Sequence, residues 1–218
     1  MKRFEIITES DARVLSRGET VALARGGHVT PLAQDTLKER RVVVIPEDRV
    51  STDEALLAPR ADIRSVAVGS DHTGVALRRE LVTFLRGLGL AVQDLGTDGS
   101  GPVDYPDVAA SVGDAVARGE ADAGIVIDGS GIGSAIAANK IPGIRAVMAT
   151  TETIARYSRE HNGANVLALG ARLVAPDEAR DIVSTWLNTA MHEPSYIRRL
   201  AKIRDLERRD GAGRHGPR

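Results

Sequence analysis

The 218-residue chain contains no cysteine. That absence excludes disulfides, cysteine-ligated zinc and any thiolate acting as nucleophile or base. Aromatic residues fill only 3% of positions, so a core must be built from Val, Ile, Leu and Ala, which suits α/β layers better than an aromatic-rich β-sandwich. Neither sign of charge is in excess. The 29 Lys and Arg against 30 Asp and Glu leave a formal net charge of −1, whereas proteins that neutralise many nucleic-acid phosphates show a basic balance or a long basic stripe. The one basic concentration, 198–218, is interrupted by acids. No apolar run approaches the length of a membrane span. Glu5, Glu9 and Asp11 precede any apolar segment, unlike a secretory leader, and a soluble, cytoplasmic protein is expected. No histidine or carboxylate cluster has metal-ligand spacing, so no metal is expected.

What is present is an alternation. Residues 65–69, 91–95, 123–127, 144–149 and 166–169 read as strands rich in Val, Ile and Ala. Amphipathic runs over 75–88, 108–118, 132–140, 154–160 and 176–187 lie between and after them, and a charged helix is expected from Ser195 to about Arg209. This order predicts βαβ units and an open, mostly parallel Rossmann-like sheet with helices on both faces. The first 62 residues read as an N-terminal extension and linker, 63–209 as the main domain, and 210–218 as a disordered tail. Within the extension, 4–8 and 41–45 read as strands. Thr30 is placed to cap a helix opened by Pro31. The segment 46–61 reads as a polar linker with one helical turn around 54–57.

In open α/β sheets ligands gather at the carboxyl ends of the strands. Asp71-His72-Thr73-Gly74 follows the first core strand and Asp128-Gly129-Ser130-Gly131-Ile132-Gly133-Ser134 follows the third. The glycine spacing does not fit a dinucleotide fingerprint, and no Gly-Lys-Ser/Thr phosphate loop is present. A row of backbone N–H groups at a helix N-terminus remains, suited to holding a negative oxygen. Asp71 is equally suited to capping the helix that starts near Val75. His161, before Asn162-Gly163, is equally suited to a helix C-terminus. His28, His192 and His215 read as surface residues.

These segments occur together with Asp104-Tyr105-Pro106-Asp107, Ile136-Ala137-Ala138-Asn139-Lys140 and Gly143-Ile144-Arg145, in this order. The set resembles the ribose-5-phosphate isomerase B and galactose-6-phosphate isomerase family over about 65–204. The resemblance implies a cofactor-free aldose–ketose isomerase, a homodimer or dimer of dimers with active sites between subunits. Such an enzyme moves a proton between C1 and C2 through a cis-enediolate. It implies that backbone N–H groups from Gly129 through Gly131 and Ile132 to Gly133 hold the enediolate oxygen, with Ser130 at the hydroxyl position. Asp71 and His72 then hold the sugar and its phosphate end. His161 opens the ring, Asn162 binds substrate beside it, Tyr105 lines the pocket and Arg172 accompanies the site.

Two departures from the family pattern bear on the chemistry. Asp128 stands where many members carry a cysteine base, and Ser134 stands where another branch carries a glutamate. Asp128 is therefore expected to serve as the base. Burial would raise its pKa and the helix N-terminus would lower it. The family's paired phosphate-gripping arginines reduce here to Arg199, because Ser195 occupies the other position. A shifted substrate, a different grip on phosphate or reduced activity is expected. The second functional reading is a catalytically reduced sugar-phosphate-binding or scaffold subunit. Ile7-Thr8-Glu9 and Val29-Thr30-Pro31-Leu32-Ala33 look like segments found on bacterial microcompartment enzymes, which implies docking to a shell or enzyme partner through residues 1–62. A plain extension of an oligomer interface is the other reading.

Overall fold

The computed structural model describes residues 1–47, 54, 57–98, 101–191 and 193–213. Residues 48–53, 55 and 56 of the expected polar linker, the last two within its expected helical turn, and the end of the expected tail from 214 onward lie outside the described residues. The chain divides into two compact units. One is Met1–Asp62 with Glu160–Gly163 and Ala190–Arg218, the other Ile63–Arg159 with Ala164–Thr189.

The first unit opens with β1 (Arg3–Ile7), α1 (Glu9–Val14), β2 (Thr20–Val29), α2 (Pro31–Glu39) and β3 (Val43–Pro46). Its sheet has the order β1-β2-β3 and both pairings are parallel. Ile7, Val21, Leu23 and Val42 pack against Ala12 and Leu15 of the α1 segment and Ala33 and Leu37 of α2. Two elements, α1 and β2, have no counterpart in the sequence reading. Gly26 and Gly27 interrupt the apolar pattern of β2 where its register with β1 jumps, from Phe4↔Leu23 to Ile6↔His28. Helix α1 is short and carries a reciprocal cap instead, in which Asp11 N–H donates to Thr8 Oγ1 and Thr8 N–H to Asp11 Oδ2. Pro31 does open α2, but the Thr30 side chain makes no capping bond. Residues far along the chain complete this unit: Met191, Ile197 and Leu200 pack with Val43, Ile45 and Ala61.

The second unit holds the alternation. In chain order it contains β4 (Ser65–Ser70), α3 (Val75–Gly87), β5 (Ala91–Asp94), α4 (Tyr105–Ala117), β6 (Ala123–Asp128) and α5 (Ile132–Ala138). β7 (Ala146–Met148), α6 (Glu152–Glu160), β8 (Val166–Gly170) and α7 (Pro176–Asn188) follow, α6 ending on the first unit's Glu160. The last helix, α8 (Pro194–Gly213), groups with the first unit and runs past the end expected near Arg209.

All four pairings in the sheet β5-β4-β6-β8-β7 are parallel. Successive side chains of a strand face opposite sides, and the cores sort accordingly. Val66, Val68, Ile125, Ile127, Leu167 and Leu169 join Leu81 and Leu85 of α3 and Ile182 and Trp186 of α7. The opposite face carries Val126, Val166 and Ala168 with Val108 and Ala109 of α4 and Ala135 and Ala138 of α5. This is the Rossmann-like sheet covered on both faces. Among the described residues no helix is long and apolar enough to cross a membrane.

The small-residue core permits a close approach of α4 to the sheet. A Cβ added at Gly69 would lie 2.6 Å from Val108 Cγ1 and 2.8 Å from Val112 Cγ2. Gly69→Ala should therefore destabilise the protein by roughly 1–3 kcal/mol. Gly87→Ala, where nothing lies within 4 Å, should be neutral or stabilising. Urea denaturation of the two variants checks this, and equal stability would contradict the packing described.

Candidate active site

The neighbouring strands β4 and β6 are followed by helices on opposite faces, α3 on one and α5 on the other. That is a topological switch point, where the chain opens a crevice beyond the strand ends. The pairing Ser70↔Ile127 puts the next residues, Asp71 and Asp128, at adjacent register positions. Asp71 N–H donates to Ile127 O at 3.1 Å. A cavity of about 580 Å³ lies here, lined by Asp71, Tyr105, Asp128, Gly129, Ser130, Ile132, Gly133, Arg172 and Leu173.

Both acids open an Asp-x-Ser/Thr turn. Asp71 Oδ1 accepts from Thr73 N–H at 2.8 Å, Thr73 Oγ1 at 2.6 Å and Gly74 N–H at 3.3 Å. Asp128 Oδ1 accepts from Ser130 N–H at 2.7 Å and Gly131 N–H at 2.5 Å, with Ser130 Oγ at 3.4 Å. Asp71 thus ties the turn that leads to α3, whose N-cap Gly74 has no side chain with which to cap it. The two differ at the second oxygen. Asp128 Oδ2 accepts from Ser134 N–H at 2.9 Å and Ser134 Oγ at 2.5 Å. Asp71 Oδ2 accepts no hydrogen bond among the described residues.

The electrostatics of Asp128 follow from this cage. Burial, the largest single influence, pushes its pKa up. The bonds from Ser134, Gly131 and Ser130 together outweigh it and hold the pKa below the ordinary 3.8. Asp128 is a fixed anion inside the glycine turn and takes the N–H groups of Ser130, Gly131 and Ser134. Ile132 N–H donates to Ser130 Oγ at 3.3 Å. The N–H groups of Gly129 and Gly133 donate to no protein atom among the described residues.

Side chains fill the space the glycines leave. Gly131 has φ of +76° and a Cβ there would lie 2.8 Å from the Leu169 carbonyl carbon, so both conformation and space require glycine. A Cβ at Gly133 would sit 2.7 Å from the Tyr105 ring, and Arg172 crosses close to Gly129. The predicted Asp71, Tyr105, Asp128, Gly129, Ser130, Ile132, Gly133 and Arg172 thus share one cavity, and Gly131 shapes its turn. His72 is exposed in the same unit, its Nδ1 3.4 Å from Val103 O, and is not among the lining residues. His161, Asn162 and Arg199 belong to the other unit. There the Tyr196 ring lies 4.6 Å from the His161 ring and 5.1 Å beneath the Arg199 guanidinium. The sequence reading assigned no part to Thr73, Leu173 or Tyr196, and treated Ser134 only as a missing glutamate. The repeated Asp-x-Ser/Thr spacing was the available signal for the paired turns.

A family model described as Ribose/Galactose Isomerase matches residues 66–203. Ribose-5-phosphate isomerase B of Escherichia coli strain K12 is 43% identical over 147 residues, which cover 67% of this chain and 99% of that protein. D-erythrulose-4-phosphate isomerase of Pectobacterium atrosepticum is 36% identical over 141 residues, covering 64% of this chain and 92% of that one. The solved ribose-5-phosphate isomerase B of Clostridium thermocellum, 49% identical, aligns with a TM-score of 0.66 over 67% of this chain and 99% of its own.

Replacing Asp128 leaves its donors facing a weaker acceptor. Asp128→Asn should cost about 2–3 kcal/mol of stability at pH 7, the scale of hydrogen bonds to a charged group. Because the folded pKa is depressed, this contribution is complete above the unfolded value and is lost as pH falls through the folded one. Urea unfolding at neutral pH and at steps below pH 3.8 should show the gap between parent and variant closing. A gap that stays constant would contradict the anionic cage.

Proposed function

Because the chain belongs to the ribose/galactose isomerase family, we propose that it is a sugar-phosphate isomerase interconverting an aldose and a ketose phosphate through a cis-enediolate. The observation that carries this reading is the cavity at the switch point, where two aspartates, a glycine-rich turn and Arg172 converge. The relatives named for ribose-5-phosphate and D-erythrulose-4-phosphate isomerisation support a short-chain phosphorylated sugar as substrate.

The residues take their roles from the family resemblance. The N–H groups of Gly129 and Gly133 stabilise the enediolate oxygen, a preorganised contribution of several kcal/mol in such sites. Ser130 Oγ supplies a further hydroxyl, Ile132 and Tyr105 wall the site, and Arg172 brings positive charge to the cavity. Asp71 and His72 hold the sugar. His161 is the ring-opening acid, Asn162 binds substrate beside it and Arg199 grips phosphate, in a homodimer or dimer of dimers. By position in the family pattern Asp128 is the first candidate for the base. A lowered pKa keeps it ionised at neutral pH but makes it a weak proton acceptor.

One observation favours the second reading, a sugar-phosphate-binding subunit of reduced activity. All the lone-pair directions of Asp128, about four for a carboxylate, already receive donors. Docking to a microcompartment shell or enzyme through residues 1–62 rests on the resemblance of that segment alone, since the family match begins at residue 66.

A panel of tetrose, pentose and hexose phosphates incubated in deuterium oxide separates the readings. The isomerase reading expects conversion of at least one member with solvent deuterium appearing at C1 or C2. Thermal stabilisation by a sugar phosphate without any deuterium incorporation would support the binding subunit. If Asp128 is the base, kcat/KM should show no loss from its protonation until the pH falls below 3.8. An acid limb well above that value assigns proton transfer to another group.

A further inference from the structure

We propose that Asp71 is the general base of the proton transfer and that Asp128 is the anion that shapes the donor turn, an assignment that rests on the isomerase reading above. The two carboxylates sit at adjacent register positions on paired strands and line one cavity. Their first oxygens are engaged alike, each by the N–H groups and the hydroxyl of its own turn. Ser134 makes the difference. It fills Asp128 Oδ2 with an N–H and an O–H, and it is fully buried. Asp128 accepts a substrate proton only after one of these bonds breaks.

Asp71 is in the opposite condition. Its side chain is only 6% exposed, yet Oδ2 has no donor among the described residues. Oδ2 is not among the buried polar atoms left without a partner among the described residues, so it keeps solvent access, and it belongs to a residue that lines the cavity. A general base requires a lone pair within reach of the reacting proton. Of the two acids, Asp71 alone offers it without dismantling its turn, because Oδ1 continues to hold Thr73 and Gly74. Arg172, the cation in the lining, has no acceptor lone pair.

In the aldose-to-ketose direction Asp71 Oδ2 takes the proton from C2. The C2–H electron pair becomes the second bond between C1 and C2, and the carbonyl pair moves onto O1. The proton then passes from Asp71 to C1, while the O2–H proton goes to O1 and C2 becomes the carbonyl. C2 is oxidised and C1 reduced by the same electron pair, so no outside oxidant or reductant enters.

The test uses the full chain with Asp71→Asn, Asp71→Glu and Asp128→Asn, followed by deuterium exchange and steady-state rates on the sugar phosphate the parent converts. Asn at 71 retains an oxygen for the Thr73 and Gly74 bonds, so the fold and ligand-induced thermal stabilisation should survive. The kcat of Asp71→Asn should fall by at least ~100-fold, with KM within about threefold of the parent. Asp71→Glu should regain roughly tenfold over Asp71→Asn, and Asp128→Asn, though less stable, should exchange faster than Asp71→Asn. Parental kcat in Asp71→Asn, or a loss confined to KM, overturns the assignment. So does exchange abolished in a folded Asp128→Asn but preserved in Asp71→Asn. If Asp71→Asn fails to fold, an Asp71→Glu as fast as the parent overturns it as well. A parent that exchanges no deuterium with any member of the panel overturns the isomerase reading, and the role of Asp71 with it.

Discussion

The parallel pairing of β4 with β6 is the constraint on which the second unit turns. It places two strand ends side by side, and the helices that follow leave toward opposite faces of the sheet. Backbone groups beyond the last ladder bonds are then left without a sheet partner. Each strand answers with an aspartate whose first oxygen gathers the N–H groups of the turn. The acids therefore perform structural work before any chemistry is considered. The same arrangement accounts for the glycines, because Gly131 adopts a left-handed backbone against the Leu169 carbonyl.

The missing cysteine takes on meaning inside that frame. A thiolate at position 128 would present one large, weakly hydrogen-bonding atom. Asp128 presents two strongly accepting oxygens, and the turn closes around both. Ser134 completes the closure with its N–H and hydroxyl, so residues 128 and 134 form one interacting pair. The carboxylate gains a lowered pKa and a fixed orientation, and it loses free lone pairs. Within the turn, the N–H groups of Gly129 and Gly133 are left without a protein acceptor among the described residues. Asp71, its neighbour in register, has no equivalent of Ser134.

Much of this was legible in the chain. The core strands announced themselves as short Val, Ile and Ala runs bounded by turn residues, and their helices by apolar spacing. Asp71, Asp128 and the glycine turn were recognisable from their place at strand ends. The misses have physical causes. β2 was hidden because Gly26-Gly27 breaks its apolar pattern at a register jump. α1 is six residues long, too short to display a helical period. Thr30 met the rule for a cap, but its side chain makes no such bond.

The sequence alone determined the class of fold, the exclusion of thiol chemistry and the placing of Asp71, Asp128 and the glycine turn at strand ends. Alternation, turn chemistry and amino-acid type are local properties, and they are written in the order of the residues. The tertiary structure decided how those residues are used. Whether an aspartate has a free lone pair depends on which donors the fold brings to each oxygen. For Asp128 the decisive donor, Ser134, lies six residues on and reaches it only because the chain turns back into α5. The balance between burial and hydrogen bonding that sets its pKa was likewise settled by packing. Both influences act through distances that no reading along the chain contains.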